Sequence, residues 1–451
     1  MNGHTASLSA SATRFVAFQG DSGSTTTGTE VNSNTVISST GTLRNFRVKL
    51  PSTPGAGKNY AFTVRLNGAS SALGCTIADT ATSCADTINS VAVVPGDVVN
   101  IMIVPTGTPT AAGSVGFTAM FSSSNSGESI HMTTQYGNGF SASATNYVPI
   151  VGVMTPDATE ANVNQVIATT GQMKNLYVYL TASPGASKSY AFTLMVNGSP
   201  SALTCTISGT NTTCNDTTNS VSVTAGDILD YKVVPTGTPS VRFGSIGSTF
   251  LANTTGEWPM FLKTGSLSTT STEYTNPETA PGQFGDLQSA ETALYALGQT
   301  GQITKMYVAL QTAPGAGTSR TFTFRNTAVA DTALAVTISD TNTSGNATAT
   351  ATMVTDSRYD IKYTLSGTPA ASVASVSPKP GIRHSPRSHH RQGNPMSKSN
   401  KGENEIVLRV PTSIVEGDKD LPHNTMQVSF SQRLDVSDLA NTWLATSILD
   451  L

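Results

Sequence analysis

Residues 41–50 read GTLRNFRVKL, and the same pattern returns as GQMKNLYVYL at 171–180 and as GQITKMYVAL at 301–310. The opening glycines, Gly41, Gly171 and Gly301, are separated by 130 residues both times. In the first copy Phe46, Val48 and Leu50 alternate with Arg47 and Lys49. That is the two-residue period of a strand with one face in a core and the other in water. Self-similarity at a long fixed period marks tandem copies of one folding unit and takes precedence over any local reading.

Outward from that strand the copies stay in step. Each continues through a Pro-Gly turn, at Pro54-Gly55, Pro184-Gly185 and Pro314-Gly315, into an aromatic run: YAFTVRL from Tyr60, YAFTLMV from Tyr190 and RTFTFRN from Arg320. Each closes on Gly-Thr-Pro, at Gly107, Gly237 and Gly367. Asn67-Gly68 and Asn197-Gly198 lie between apolar runs, where a tight hairpin needs residues tolerant of positive φ. Pro95-Gly96-Asp97 and Ala225-Gly226-Asp227 punctuate two further pairs of runs. Roughly seven to nine short strands per copy, with turn signals every 8 to 12 residues or so, is the pattern of a β-sandwich.

The expected fold is all-β: three tandem antiparallel β-sandwich domains at 1–140, 141–269 and 270–378, then a basic flexible linker at 379–402 and a small C-terminal α+β element at 403–451. Jelly roll is the first choice of topology, with an immunoglobulin-like order left open.

The cysteines follow the repeat. Cys75 and Cys84 are nine apart, as are Cys205 and Cys214, while the third copy carries Val336 and Gly345 at the aligned positions. Loss of both members together is what a bonded pair predicts, so a disulfide is expected within each of the first two copies. Free structural cysteines are the alternative; a metal site would need further His or Cys ligands that are not nearby. Closing so short a loop stabilises by about 2 to 3 kcal/mol in the chain-entropy model.

Only 12% of the 451 residues are charged, and the formal net charge is −3. Surfaces are therefore built from hydroxyls and amides, as is common in secreted and virion β-proteins, and not from the charged helix formers of a helical cytosolic enzyme. Neither nucleic acid nor an acidic membrane is implied as a partner by the bulk charge. No run approaches the roughly 18 apolar residues of a membrane span, and the first residues do not read as a secretory signal. The expectation is a particle protein released by lysis in preference to an exported one.

After Pro378 the composition changes. Lys379, Arg383, Arg387, Arg391, Lys398 and Lys401 occur without an acid, together with His384, His389 and His390. This reads as a solvated tether, with contact to an acidic surface or nucleic acid, or metal binding by the histidines, as alternatives. Met396-Ser397-Lys398 also resembles a fresh N-terminus. Further on, EIVLRVPTSIV from Glu405 and MQVSF from Met426 are strand-like. From Ser437, an N-cap residue, Leu439, Trp443, Leu444, Ile448 and Leu449 recur at helical spacing and are docking candidates.

Catalytic chemistry is not legible. None of the six histidines, His4, His131, His384, His389, His390 and His423, recurs between copies. There is no nucleophile elbow, phosphate-cradling Gly-rich loop or zinc-protease helix. Asp97 and Asp227 recur and read as turn residues, with calcium binding as the alternative. Accordingly no catalytic, cofactor-binding or metal-ligating residue is assigned, and no cofactor is expected. Tyr177, Tyr179 and Tyr307 stand on strand faces where the first copy has Arg47 and Lys49, and suit either cross-strand packing or a glycan or receptor surface.

The succession Leu-x-Val-x-Leu, Pro-Gly, Tyr-x-Phe-Thr, Asn-Gly, Cys-Thr-Ile, Gly-Asp and Gly-Thr-Pro over residues 11–378 resembles tandem β-sandwich modules of tailed-bacteriophage particle proteins: head decoration proteins, head fibres and tail fibres. The resemblance implies a non-enzymatic structural protein on the virion surface that reinforces the shell or aids host attachment. Its implied partners are other virion proteins of the capsid or tail, further copies of itself in a symmetric oligomer such as a trimer, and a host glycan. A secreted or cell-surface bacterial adhesin, or the subunit of an extracellular filament, is the alternative.

Overall fold

The computed structural model describes residues 2–381, apart from 22–25, 111–112, 136–138, 278–286, 292–295, 298–299 and 327–329. The basic stretch from 382, the C-terminal element and the docking candidates Leu439, Trp443, Leu444, Ile448 and Leu449 lie outside the described residues.

Strands dominate. The first repeat supplies β1 (Asn2–Ser7), β2 (Arg14–Ala17), β3 (Gly20–Asp21), β4 (Thr35–Val36), β5 (Gly41–Lys49), β6 (Gly55–Leu66), β7 (Ala69–Asp79), β8 (Ser83–Val93), β9 (Val98–Thr106) and β10 (Gly113–Ser123). The second supplies β11 (Glu128–Gln135), β12 (Asn146–Val148), β13 (Gly152–Met154), β14 (Gln165–Val166), β15 (Gly171–Leu180), β16 (Gly185–Val196), β17 (Ser199–Gly209), β18 (Thr213–Val223), β19 (Ile228–Thr236) and β20 (Gly244–Ala252). The third supplies β21 (Leu262–Ser266), β22 (Glu273–Thr275), β23 (Ala296–Leu297), β24 (Gly301–Leu310), β25 (Gly315–Asn326), β26 (Ala330–Asp340), β27 (Ser344–Met353), β28 (Arg358–Ser366) and β29 (Val373–Pro380). Lys379, counted above with the basic stretch, is thus a strand residue, and its Nζ lies 2.6 Å from Glu257 Oε1.

In the first repeat one sheet runs β3-β1-β10-β5-β8 and the other β2-β9-β6-β7, with β4 also on β9; the second repeat follows the same plan, and so does the third except that its first sheet, β21-β29-β24-β27, has four strands among the described residues. Neighbours are antiparallel except β1 with β3 and β11 with β13. The first strand, β1, pairs with the last, β10; β5 and β8 lie side by side in that sheet, and the hairpin β6-β7 between them in sequence lies in the other. That is the jelly-roll order; an immunoglobulin order would place the first two strands side by side.

The expected alternation holds on β5, where Phe46 and Val48 are buried, and continues into the buried Leu50 just after it; a bulge at Arg44 and Asn45 brings Leu43 in as well. Asn45 takes φ 52° and its counterpart Asn175 also φ 52°, a backbone state asparagine tolerates. Asn67 and Gly68 both have positive φ, as the hairpin turn requires. In each repeat the inward residues of the two sheets form one apolar cluster.

The repeats also contact one another, and each contact recurs. Val36 N–H of β4 donates to Ser245 Oγ at 3.0 Å, and Val166 N–H of β14 donates to Ser375 Oγ at 2.6 Å. Both links are 209 residues long in sequence, so the second repeat meets the third as the first meets the second. Ile130 and Met132, on the outward face of β11, pack into the first repeat's cluster, and Phe261 packs into the second's. At Gly247 an added Cβ would stand 2.3 Å from the Val36 carbonyl oxygen, so only glycine permits the approach.

The series closes on itself. β23 of the third repeat lies against β1 and β10 of the first, and Arg47 pairs with Asp356 across the same seam. Gly20 and Gly152 are equivalent by pairing, to Gly3 and Thr133 respectively, yet they touch: a Cβ on Gly20 would lie 2.7 Å from Gly152 Cα. Equivalent residues meet only near a symmetry axis. Residues 2–381 therefore form a ring of three repeats about a pseudo-threefold axis. Its third seam is not identical to the others, since Gly116 occupies the position held by Ser245 and Ser375.

Candidate functional site

The sequence-derived candidates divide into those the structure explains as framework and those outside the described residues. Cys75–Cys84 and Cys205–Cys214 are bonded, each with a Cα–Cα distance of 5.8 Å, and join β7 to β8 and β17 to β18. Two disulfides fit an oxidising, extracellular environment. Among the described residues no helix is long and apolar enough to cross a membrane.

Asp97 accepts the Val94 N–H at 2.8 Å and the Asn67 amide at 2.7 Å, and Asp227 does the same for Thr224 and Asn197. These carboxylates tie a turn to the neighbouring hairpin. In the third copy Ser357 follows Asp356, and its hydroxyl bonds the Val354 carbonyl. Among the described residues no group of three or more His, Cys, Asp or Glu side chains converges as a metal site would. Tyr177, Tyr179 and Tyr307 are half-buried. Tyr307 lies beside Gly226 of the second repeat and under Lys305 Nζ, 4.7 Å from its ring centroid, which makes it an inter-repeat residue.

His131 is buried between Phe250 and Phe261, with ring centroids 6.4 and 5.1 Å away. Burial pushes its pKa down to about 3, so the imidazole is neutral at physiological pH. An open hollow of about 580 Å³ on the second repeat, lined by Ser141, Ser143, Asn146, Thr155, Pro156 and Phe243 among others, contains no acid, base or thiol.

The polar chemistry that sequence reading missed lies inside the sandwiches. In the first repeat Glu30 accepts two hydrogen bonds from Arg65, at 2.8 and 3.0 Å, and one from Asn100 at 3.2 Å; Asn100 also donates to Asn34 Oδ1 at 2.8 Å. Burial alone would raise the Glu30 pKa, but these bonds outweigh it and hold the pKa below the ordinary carboxylate range.

The equivalents in the second repeat are Glu160, Met195, Asp230 and Asn164. The arginine is gone, and an acid replaces Asn100. Asp230 is 1% exposed, and neither of its carboxylate oxygens has a hydrogen-bond donor. Burial, then the charge of Glu160, pushes its pKa up to about 8. In the third repeat Arg325 returns and pairs with Glu291 at 2.9 Å and with Asp331, while Asp360 lies 3.9 Å from its Nε.

A second cation enters the second repeat from outside. Lys263, on β21, is 2% exposed and its Nζ lies 2.8 Å from Asn164 Oδ1. A lone lysine in a polar strand reads from sequence as a solvated face, so only the ring contact exposes its burial.

No protein-family model matches the chain, and no curated protein matches it either.

Proposed function

We propose that the chain is a non-enzymatic structural protein displayed on the surface of a phage particle, as capsid decoration or fibre, where it reinforces the shell or aids host attachment. The observation that carries this reading is the closed ring of three jelly rolls within one polypeptide, a module with polar, sparsely charged surfaces. The internal disulfides suit a module that works outside the reducing cytosol. In this reading the threefold arrangement comes from one chain, and residues 382–451 with their apolar positions Leu439, Trp443, Leu444, Ile448 and Leu449 are the anchor to capsid or tail.

The test is binding of the full chain to purified particles, compared with a chain ending at Gly381, which retains all of β29. Binding by the full chain alone supports the anchor. Equal binding by both moves attachment to the ring, and binding by neither overturns the particle assignment. The same disulfides favour a second reading, a secreted or cell-surface adhesin; there, glycan-array binding by the ring would replace particle binding.

A further inference from the structure

Lys263 occupies a position that the ring repeats with other residues. Through the shared register with Gly116, Ser245 and Ser375, its counterparts are His4 and Thr134. Among the described residues, the contact between the second and third repeats alone sets an amine against an asparagine amide. No ion pair among the described residues involves this lysine, although its side chain is out of water. A buried ammonium without a carboxylate is costly, and the cost falls if the amine is neutral. Burial does move its pKa down, to about 8, against the pull of Asp230.

The amide next to it has a carboxyl neighbour. Asp230 stands where Asn100 of the first repeat donates to the Asn34 amide oxygen, both being placed by the same pairing, Met195 with Asp230 and Arg65 with Asn100. Apart from the Glu160 carboxyl beside it, its oxygens have no partner. A primary amine, an amide carbonyl within hydrogen-bond distance and a carboxyl held away from water are the three components of an acyl transfer from nitrogen to nitrogen. Holding them together in one folded structure replaces a bimolecular encounter with a unimolecular step.

We propose that Lys263 and Asn164 condense to an isopeptide bond that joins the third repeat to the second, with Asp230 as the group that relays the protons. The neutral Lys263 Nζ attacks the Asn164 side-chain carbonyl carbon. The attacking nitrogen gives up a proton to the carboxyl system, which returns one to the departing amide nitrogen. The Nζ–carbon bond forms, the carbon–Nδ2 bond breaks, and one molecule of ammonia leaves. No oxidant, reductant or further reactant is required. Glu160 and Tyr147 also face Asp230 and share its field.

The experiment is intact mass spectrometry of the full chain followed by peptide mapping. The expected mass is that of the sequence less one ammonia, beyond the hydrogens lost to two disulfides. The map is expected to contain a branched peptide joining the Asn164 and Lys263 segments. Lys263→Met and Asn164→Ala are each expected to restore the missing ammonia. Asp230→Asn, a residue the first repeat already accommodates as Asn100, is expected to leave a folded, disulfide-bonded and unlinked chain. A mass accounted for by the disulfides alone after prolonged incubation overturns the proposal. So does an ammonia loss that maps to a linear peptide, as cyclisation at Asn67-Gly68 or Asn197-Gly198 would give. A fully linked Asp230→Asn chain removes Asp230 from the chemistry.

Discussion

The second and third repeats bury the same pair of acids in different company. The third supplies its own guanidinium: Arg325 on β25 reaches Glu291, Asp331 and Asp360. The second has Met195 at that position and has a lysine from the next repeat beside it. One solution is internal to a sandwich. The other makes the electrostatics of a sandwich depend on its neighbour. The contrast shows that near-identical strands tolerate a guanidinium beside this acid pair or none, and in both repeats burial pushes the pKa of the inner acid, Asp230 or Asp360, up to about 8.

The comparison can be broken most forcefully at Arg325. Arg325→Met, which copies the second repeat without its lysine, leaves buried acids unpaired and is expected to cost about 3 to 5 kcal/mol in denaturant unfolding monitored at neutral pH. A loss below about 1 kcal/mol would mean that water reaches the cluster. Next comes the disulfide that the third repeat lacks. Cys75→Ser with Cys84→Ser is expected to cost about 2 to 3 kcal/mol, and reducing agent is expected to destabilise the first two repeats while sparing the third, which hydrogen exchange resolves segment by segment.

Asp230 gives a pH signature. Its folded pKa, pushed up to about 8, lies well above the ordinary aspartate range, so the folded state holds a proton that the unfolded chain releases. Stability from this group is complete below about pH 4 and declines as pH rises towards 8. Asp230→Asn is expected to remove this group's share of that decline in melting experiments, leaving the share of Asp360, whose pKa is also pushed up to about 8; an unchanged slope would assign it elsewhere. The smallest effect is expected at the ring's closing seam. Arg47 and Asp356 are partly exposed, with side-chain exposures of 17% and 56%, and Arg47→Ala is expected to cost less than about 1 kcal/mol, vanishing in high salt.

Much of the sandwich was legible in the sequence because it is written in period and turn chemistry. The strand from Gly41 to Lys49, the Asn67-Gly68 hairpin and the paired loss of cysteines in the third copy each have a local signature. The ring does not. Its contacts rest on Ser245, Ser375 and Gly247, small residues on outward strand faces that look like ordinary solvated positions. Arg320 was likewise opaque: it replaces Tyr60 and Tyr190 and is fully buried, donating to the Ser268 and Ala370 carbonyls, which no single-strand pattern announces. Lys263 was hidden for the same reason, since its burial is created by a neighbour 99 residues away from it in sequence.

Closure of the ring within one polypeptide has a genetic consequence. In a ring of identical subunits every mutation arrives three times, so no seam can differ from the others. Here each position is inherited once. The third copy lacks the cysteines, Gly116 stands at one seam where the others have serine, and a lysine stands at another, without the difference being imposed on the remaining two. A symmetric scaffold encoded in this way is free to acquire a single unsymmetrical feature.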